Sequence, residues 1–346
     1  LDRQLPESMS PYERRAWDQS LQRLQAPPAK GLVPSKVREI SRAATDKTAP
    51  YAARAGDFLG SHLPVATVKE IVDKAMDGTL ELTFNPALRS ASADGALRGL
   101  QKRHPEIRTL SDVKQLDLAD VDRFRRRKGT YVSASAAQGG VTSLAVTGAV
   151  VSSTVSGGVT SATVVGALAV DTVASLAMMG RSVGSVAVRY GYDVRLPDEE
   201  LFAMGVLSLG MASTVGAKYQ ALAALSRLTQ DMMRQAAWRQ LNDHVIVGAI
   251  RRVYQALGLR LTHRKLAQTV PLVGVGINAA LSANMTRSVY QRAEDVYRLR
   301  FLSDKYGVDP QDWLIGSLPF DESGESQTES VPDVAVILDE ERALSQ

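Results

Sequence analysis

The chain of 346 residues contains no cysteine. That absence removes disulfides, thiolate nucleophiles, zinc knuckles and iron–sulfur ligation together, and it fits a reducing compartment. Aromatic residues make up only 5%, few are interleaved with basic residues and no recognition motif accompanies the charge, so nucleic acid ranks last among partners. The four histidines, His62, His104, His244 and His263, lack metal-ligand spacing. There is no His-Glu-x-x-His, no Gly-x-Ser-x-Gly and no phosphate loop. Asp243-His244 has the makings of an oriented base, but no nucleophile accompanies it, so no catalytic residue, metal ligand or cofactor site is assigned. Nor is there an apolar leader, since residues 1–29 are polar and hold Pro6, Pro11, Pro27 and Pro28. The expected location is cytoplasmic, peripheral at the inner face of a membrane.

What is present is uneven. An apolar content of 45% with 23% charge excludes a wholly disordered chain and a polytopic membrane protein. The net charge of +4 conceals opposite parts: residues 319–346 hold eight acids against Arg342, a net of −7, and the remaining 318 residues carry +11. A basic body with an acidic tail points to an anionic partner, a tail that folds back, or both.

From Gly129 to Val170 there are 42 residues without a charge, among them 18 Ala or Val, 13 Ser or Thr and 7 Gly. Small residues recur four apart (Ser135/Gly139, Ala136/Gly140, Ala162/Gly166, then Gly180/Gly184). That spacing lets helix backbones approach closely, which favours helix over the strand that Val and Thr would otherwise suit. Gly157-Gly158 is the natural turn of a helical hairpin, in which Gly139, Gly140, Gly148, Gly166, Gly180 and Gly184 would be packing positions. At 1.5 Å per residue the run is long enough for about two crossings of a ~30 Å bilayer core, but its hydroxyls and glycines supply little transfer energy. Two readings stay open: a tightly packed core hairpin, and one that inserts in lipid. Immediately before the run stand Arg123, Arg125, Arg126, Arg127 and Lys128. These are candidates for anionic lipid headgroups, worth about 1 kcal/mol per residue, or for a solvated helix end.

Elsewhere the periodicity is helical. Trp17, Leu21 and Leu24 mark an N-terminal helix, closed by Pro27-Pro28, that docks as an arm. Leu80 to Phe84 is the one place where a strand competes, with Pro86 stopping it. Ser111-Asp112 reads as an N-cap pair ahead of Val113, Leu116, Leu118 and Val121. Tyr190-Gly191-Tyr192-Asp193 reads as a helix C-terminus with Gly191 left-handed; Pro197 with Asp198, Glu199 and Glu200 opens the next helix. Gly258 is placed in a turn, and Pro271 at the start of a further helix. Asp171, Arg181, Tyr190 and Asn278 are candidates for buried polar positions. Val334 to Leu338, set among acids, either adds to the basic body, binds another protein, or is incidental apolarity in a disordered tail.

Residues from about Pro86 to Asp309 resemble the bacterial EcsC family. The likeness is carried by Gly139-Gly140-Val141-Thr142, Asp171, Arg181, the stretch Val186-Ala187-Val188-Arg189-Tyr190-Gly191-Tyr192-Asp193, Val270-Pro271-Leu272-Val273-Gly274 with Asn278 and Ala280, and Ala293, Tyr297 and Arg298. The family is named for a protein encoded beside the subunits of an ABC transporter, and its biochemical activity is not established. The resemblance implies an all-helical domain similar to proteins placed near membranes, and it transfers no catalytic residue. The expectation is therefore an all-α bundle: an N-terminal arm (1–34), a helical region (35–85), an EcsC-like domain (86–316) with a central small-residue hairpin, and a flexible acidic, largely disordered tail (317–346). Its expected role is a non-enzymatic module for an anionic lipid surface or a protein partner; the alternative is a hydrolase or protease-like enzyme with a polar cleft.

Overall fold

Ser10 and Glu13 begin the first helix by reciprocal capping. The Glu13 N–H donates to Ser10 Oγ at 3.2 Å, and the Ser10 N–H donates to Glu13 Oε2 at 3.0 Å, which satisfies two of the N–H groups a helix start leaves open. With Pro11 in the first turn this sets α1 (Pro11–Gln25), whose Trp17, Leu21 and Leu24 are buried as their spacing requires. The computed structural model describes residues 5–26, 79–90, 93–123, 161–234, 243–269, 275–314 and 331–345, with isolated positions between 70 and 76. Helices follow in the order α2 (Asn85–Arg89), α3 (Ala93–Gln101), α4 (Leu118–Arg123), α5 (Ser161–Arg189), α6 (Pro197–Met211), α7 (Val215–Met233), α8 (Asp243–Thr269), α9 (Val275–Tyr306) and α10 (Val334–Leu344). No strand occurs among the described residues. The fold is all-α, as its periodicity indicates.

Helix α9 is the axis of the packing. On it lie α1, α5 and α6, while α8 fills in against α5 and α6, and α7 covers α6. The core between them is closed by Tyr190, Tyr192, Phe202, Tyr297 and Phe301, all essentially inaccessible, with Phe202 edge-on to Tyr297 at 5.2 Å between centroids. Edge-to-face and tilted pairs of this kind add directional preference to the burial of large rings.

Several local expectations change. Leu80–Phe84 forms a single π-helical turn that runs directly into α2. Pro86 does not stop it, because it falls in the first turn of α2, where its missing N–H costs nothing. Phe84 from this turn and Leu88 from α2 pack on α5 at two of its glycines: a Cβ on Gly180 would stand 2.6 Å from the Phe84 ring, and one on Gly184 would overlap the Leu88 carbonyl oxygen. The four-residue glycine spacing therefore serves close helix approach, here to residues 84–88; the other arm of the expected hairpin lies outside the described residues. Gly258 lies inside α8 and makes no turn. Buried Val253, Tyr254, Leu257 and Leu261 carry the apolar face straight through it, and one glycine costs a helix only about 1 kcal/mol. Asp112 does not cap a following helix; its Oδ2 accepts the N–H groups of Arg108 and Thr109, closing the turn before it.

The α5–α6 corner matches its sequence pattern. Gly191 adopts φ +87°, the Tyr192 N–H donates to the Ala187 carbonyl at 3.0 Å and the Gly191 N–H to Val188 at 3.1 Å, which is the left-handed termination that glycine permits. The acidic tail differs from its expectation in its second half. Asp333 caps α10 by accepting from the Ala335 and Val336 N–H groups, and Val331, Val334 and Leu338 are buried. An aspartate cap and apolar positions four apart are enough to form an amphipathic helix once a surface is available.

Candidate functional site

Charged residues interrupt the buried face of α9 at five positions within eleven residues: Glu294, Asp295, Arg298, Arg300 and Asp304. Ions taken out of water are tolerated only when paired, and each of these is. Arg300 holds Glu199 of α6 through two bonds of 2.6 Å, and its guanidinium lies 4.1 Å from the ring centres of both Tyr192 and Phe202. The Tyr192 hydroxyl donates to Asp304 Oδ2 at 2.9 Å, which also takes Lys114 Nζ at 2.9 Å. One turn back, Arg298 meets Asp122 at 2.9 Å. Asp122 accepts in addition the hydroxyls of Tyr190 and Tyr12, both at 2.8 Å. Arg189 of α5 pairs with Glu294 at 3.1 Å, and Arg23 of α1 grips Asp295 with three contacts of 2.5 to 3.0 Å.

The electrostatics follow from burial and pairing. Burial pushes the Tyr190, Tyr192 and Tyr297 phenols far above their ordinary range, so the hydroxyls of Tyr190 and Tyr192 remain proton donors. Burial raises Glu199 and Arg300 pulls it back. Glu13 is the clearest case: burial would raise it, but hydrogen bonds from Lys305, the Ser10 backbone and Tyr306 outweigh that and hold it down to about 2. Lys305 Nζ lies 2.9 Å and the Tyr306 hydroxyl 2.8 Å from its carboxylate. Near Asp295, burial depresses Lys218 to about 8 and Arg292 to about 10. Lys218 donates to the Ala26 carbonyl at the end of α1, and Arg292 to the Leu209 and Ala212 carbonyls at the end of α6. Each places a cation on carbonyls at a helix C-terminus, where the dipole is negative. A carboxylate fixed between two or three donors is held immobile, an arrangement that anchors helices.

Of the residues singled out in the sequence, the cluster takes up Tyr190 together with Arg189, Tyr192, Tyr297 and Arg298. Asp171 is buried on α5, beside Thr172, whose Oγ1 accepts from Thr262 of α8 at 3.0 Å. Arg181 is exposed, against its assignment as a buried polar residue; ten residues at 100° each set it about 80° around α5 from Asp171. Asn278 lies on α9, its side chain outside the described residues, as do Arg125, Arg126, Arg127, Lys128, Gly139, Gly140, Gly148, Gly157 and Gly158. Gly166 is helical within α5. Arg123 is exposed and pairs within its own helix with Asp120 at 2.7 Å.

Sequence reasoning missed Asp122, Glu199 and Arg300 as a set, and it missed the tail's partners. The acids of α10 meet Arg227 and Arg252, not Arg123: Asp333 to Arg227 at 2.8 Å, and Glu340 and Glu341 to Arg252 at 2.5 and 3.1 Å. A signal was available for Arg300, which like Arg298 alternates with the apolar residues Tyr297, Leu299 and Phe301. Among the described residues no group of His, Asp and Glu is arranged to hold a metal ion. A family model described as EcsC protein family matches residues 29–302. No curated protein and no solved structure matches the chain.

Proposed function

From its membership of the EcsC family, which the match over most of its length establishes, we propose that the chain is a membrane-proximal, non-enzymatic module that engages anionic lipid headgroups. The observation that carries this reading is a juxtaposition in the sequence. Arg123, exposed at the end of α4, leads into Arg125, Arg126, Arg127 and Lys128, and these abut the 42 uncharged residues that begin at Gly129. Polybasic segments beside small or apolar stretches are attracted to anionic leaflets by roughly 1 kcal/mol per cation. The buried ionic cluster supports the same reading indirectly. Its buried charges are paired in holding α1, α5, α6 and α9 together, so they do not reach a headgroup. No helix among the described residues is long and apolar enough to cross a membrane; the contact proposed is a peripheral one, made by the basic cluster and the run beside it.

The test is flotation with vesicles. The wild-type chain is expected to float with vesicles containing phosphatidylglycerol and to stay behind with purely phosphatidylcholine vesicles. The variant Arg125→Glu/Arg126→Glu/Arg127→Glu/Lys128→Glu should lose association with the anionic vesicles by a factor of 100 or more. Equal partition of the wild type between the two lipids, or an unaltered variant, overturns the proposal.

A further inference from the structure

We propose that the groove between α6, α7 and α8 is a binding site for an acidic amphipathic helix of a partner protein, kept closed in this chain by its own α10. This is independent of the lipid reading, which concerns other residues. The groove has a specific construction. At its floor Gly205 lets the chain approach: a Cβ there would stand 2.7 Å from Leu225 and 3.2 Å from Val334 of α10. Ser208 Oγ donates to the Pro332 carbonyl at 2.7 Å, fixing where the incoming segment enters. Arg227 on one wall meets Asp333, and Arg252 on the other meets Glu340 and Glu341. Gly248 leaves room for the Glu341 carboxylate, which a Cβ would crowd at 2.6 Å.

The groove thus recognises a pattern: an aspartate N-cap, apolar residues four apart, and a pair of acids two and three residues beyond the second. Charge complementarity sets the class of occupant. Helix α8 carries Arg251, Arg252, Arg260, Arg264 and Lys265 against Asp243, whereas α10 carries Asp339, Glu340 and Glu341 against Arg342.

The resident helix is held in a way that permits exchange. It buries Val334 and Leu338, with Val331 just before it, and its ion pairs lie near solvent, where Arg227 and Arg252 are 54% and 40% exposed. Covalent attachment to the same chain raises the local concentration of α10 at its groove, which favours self-occupancy over exchange between copies. A partner helix must therefore compete with α10, and any release of α10 raises its apparent affinity.

The absence of cysteine makes the test clean. A labelled peptide of residues 330–346, standing in for the partner helix, is titrated against full-length chains by fluorescence anisotropy. Val334→Asp/Leu338→Asp, which expels the resident helix, is expected to bind the peptide at least ten-fold more tightly than the wild type. Adding Arg227→Glu/Arg252→Glu should remove that gain. The variant Gly248→Cys/Glu341→Cys replaces the side chain that crowds position 248; read with a peptide carrying Glu341→Ala, which leaves room for the new cysteine, it should bind none when oxidised and bind it on reduction. This locked form keeps the test decisive should the aspartate variant misfold. Equal binding by locked and reduced chains, equal binding of a scrambled peptide, or concentration-dependent dimers of the expelled variant in light scattering would each overturn the proposal, the last by making a second copy the occupant.

Discussion

Glu13 concentrates much of what a single side chain can do in this molecule. It caps its own helix through Ser10, and it also receives Lys305 and Tyr306 from the far end of α9. Its folded value of about 2 lies below the ordinary 4.5. The linkage has a definite sign: the stabilisation is complete above pH 4.5 and is lost as pH falls from there toward 2, because the unfolded chain binds the proton first. Glu13→Gln should therefore destabilise the chain by roughly 2–3 kcal/mol at pH 7, and urea melts of variant and wild type should converge as the pH approaches 2. A gap that stayed constant across that range would assign the stability to the cap alone. Lys218 gives a slope of the same sign at alkaline pH. Burial depresses it to about 8, so the folded state gains stability as pH rises from 8 toward 10.5.

At the scale of elements, glycines separate into those that are required and those that are not. On Gly184 a methyl group meets the backbone of Leu88, which has nowhere to move. Gly184→Ala is expected to cost about 2–3 kcal/mol by overpacking. Gly99 in α3 has nothing within 4 Å of its missing Cβ, so Gly99→Ala should gain about 0.5–1 kcal/mol through helix propensity. Thermal denaturation of the two variants reads both signs.

How much of this was legible beforehand varies with the range of the cause. The capped N-terminal helix, the Pro197 start and the glycine-terminated α5 rest on neighbours in sequence, and they appear where the sequence places them. The spacing of Gly180 and Gly184 announced a close approach but not to what, since Phe84 and Leu88 are nearly a hundred residues away. The ionic cluster was less legible still: Glu199 and Arg300 are 101 residues apart and Asp122 and Tyr190 are 68 apart. Charged side chains at such separations have no period to betray them. Helix α10 was read mainly as disorder because its composition is acidic; its order depends on Arg227 and Arg252, which no local pattern supplies.

For the whole molecule, charge is used in two ways. Around α9 it is buried and inaccessible to counterions, whereas along α10 it is exposed. Raising salt from 0.05 to 1 M shortens the screening length from about 14 Å to 3 Å, which weakens only the second kind. Hydrogen exchange at 1 M NaCl should accelerate in residues 334–344 while the amides of α5 and the second half of α9 keep their protection. Uniform acceleration would show that α10 is as integral as the core.

The ties between α1 and α9 carry a consequence for biosynthesis. Arg23 and Asp295 lie 272 positions apart, and Glu13 and Lys305 lie 292 apart. A ribosome adding about 5–20 residues per second needs roughly 15–60 s to span that distance, and throughout it α1, with 15 residues, is too short to persist alone in water. Trp17, Leu21 and Leu24 thus emerge well before the α9 residues that cover them. For that interval α1 is an apolar stripe awaiting a partner not yet made, which makes it the natural segment for a chaperone to hold.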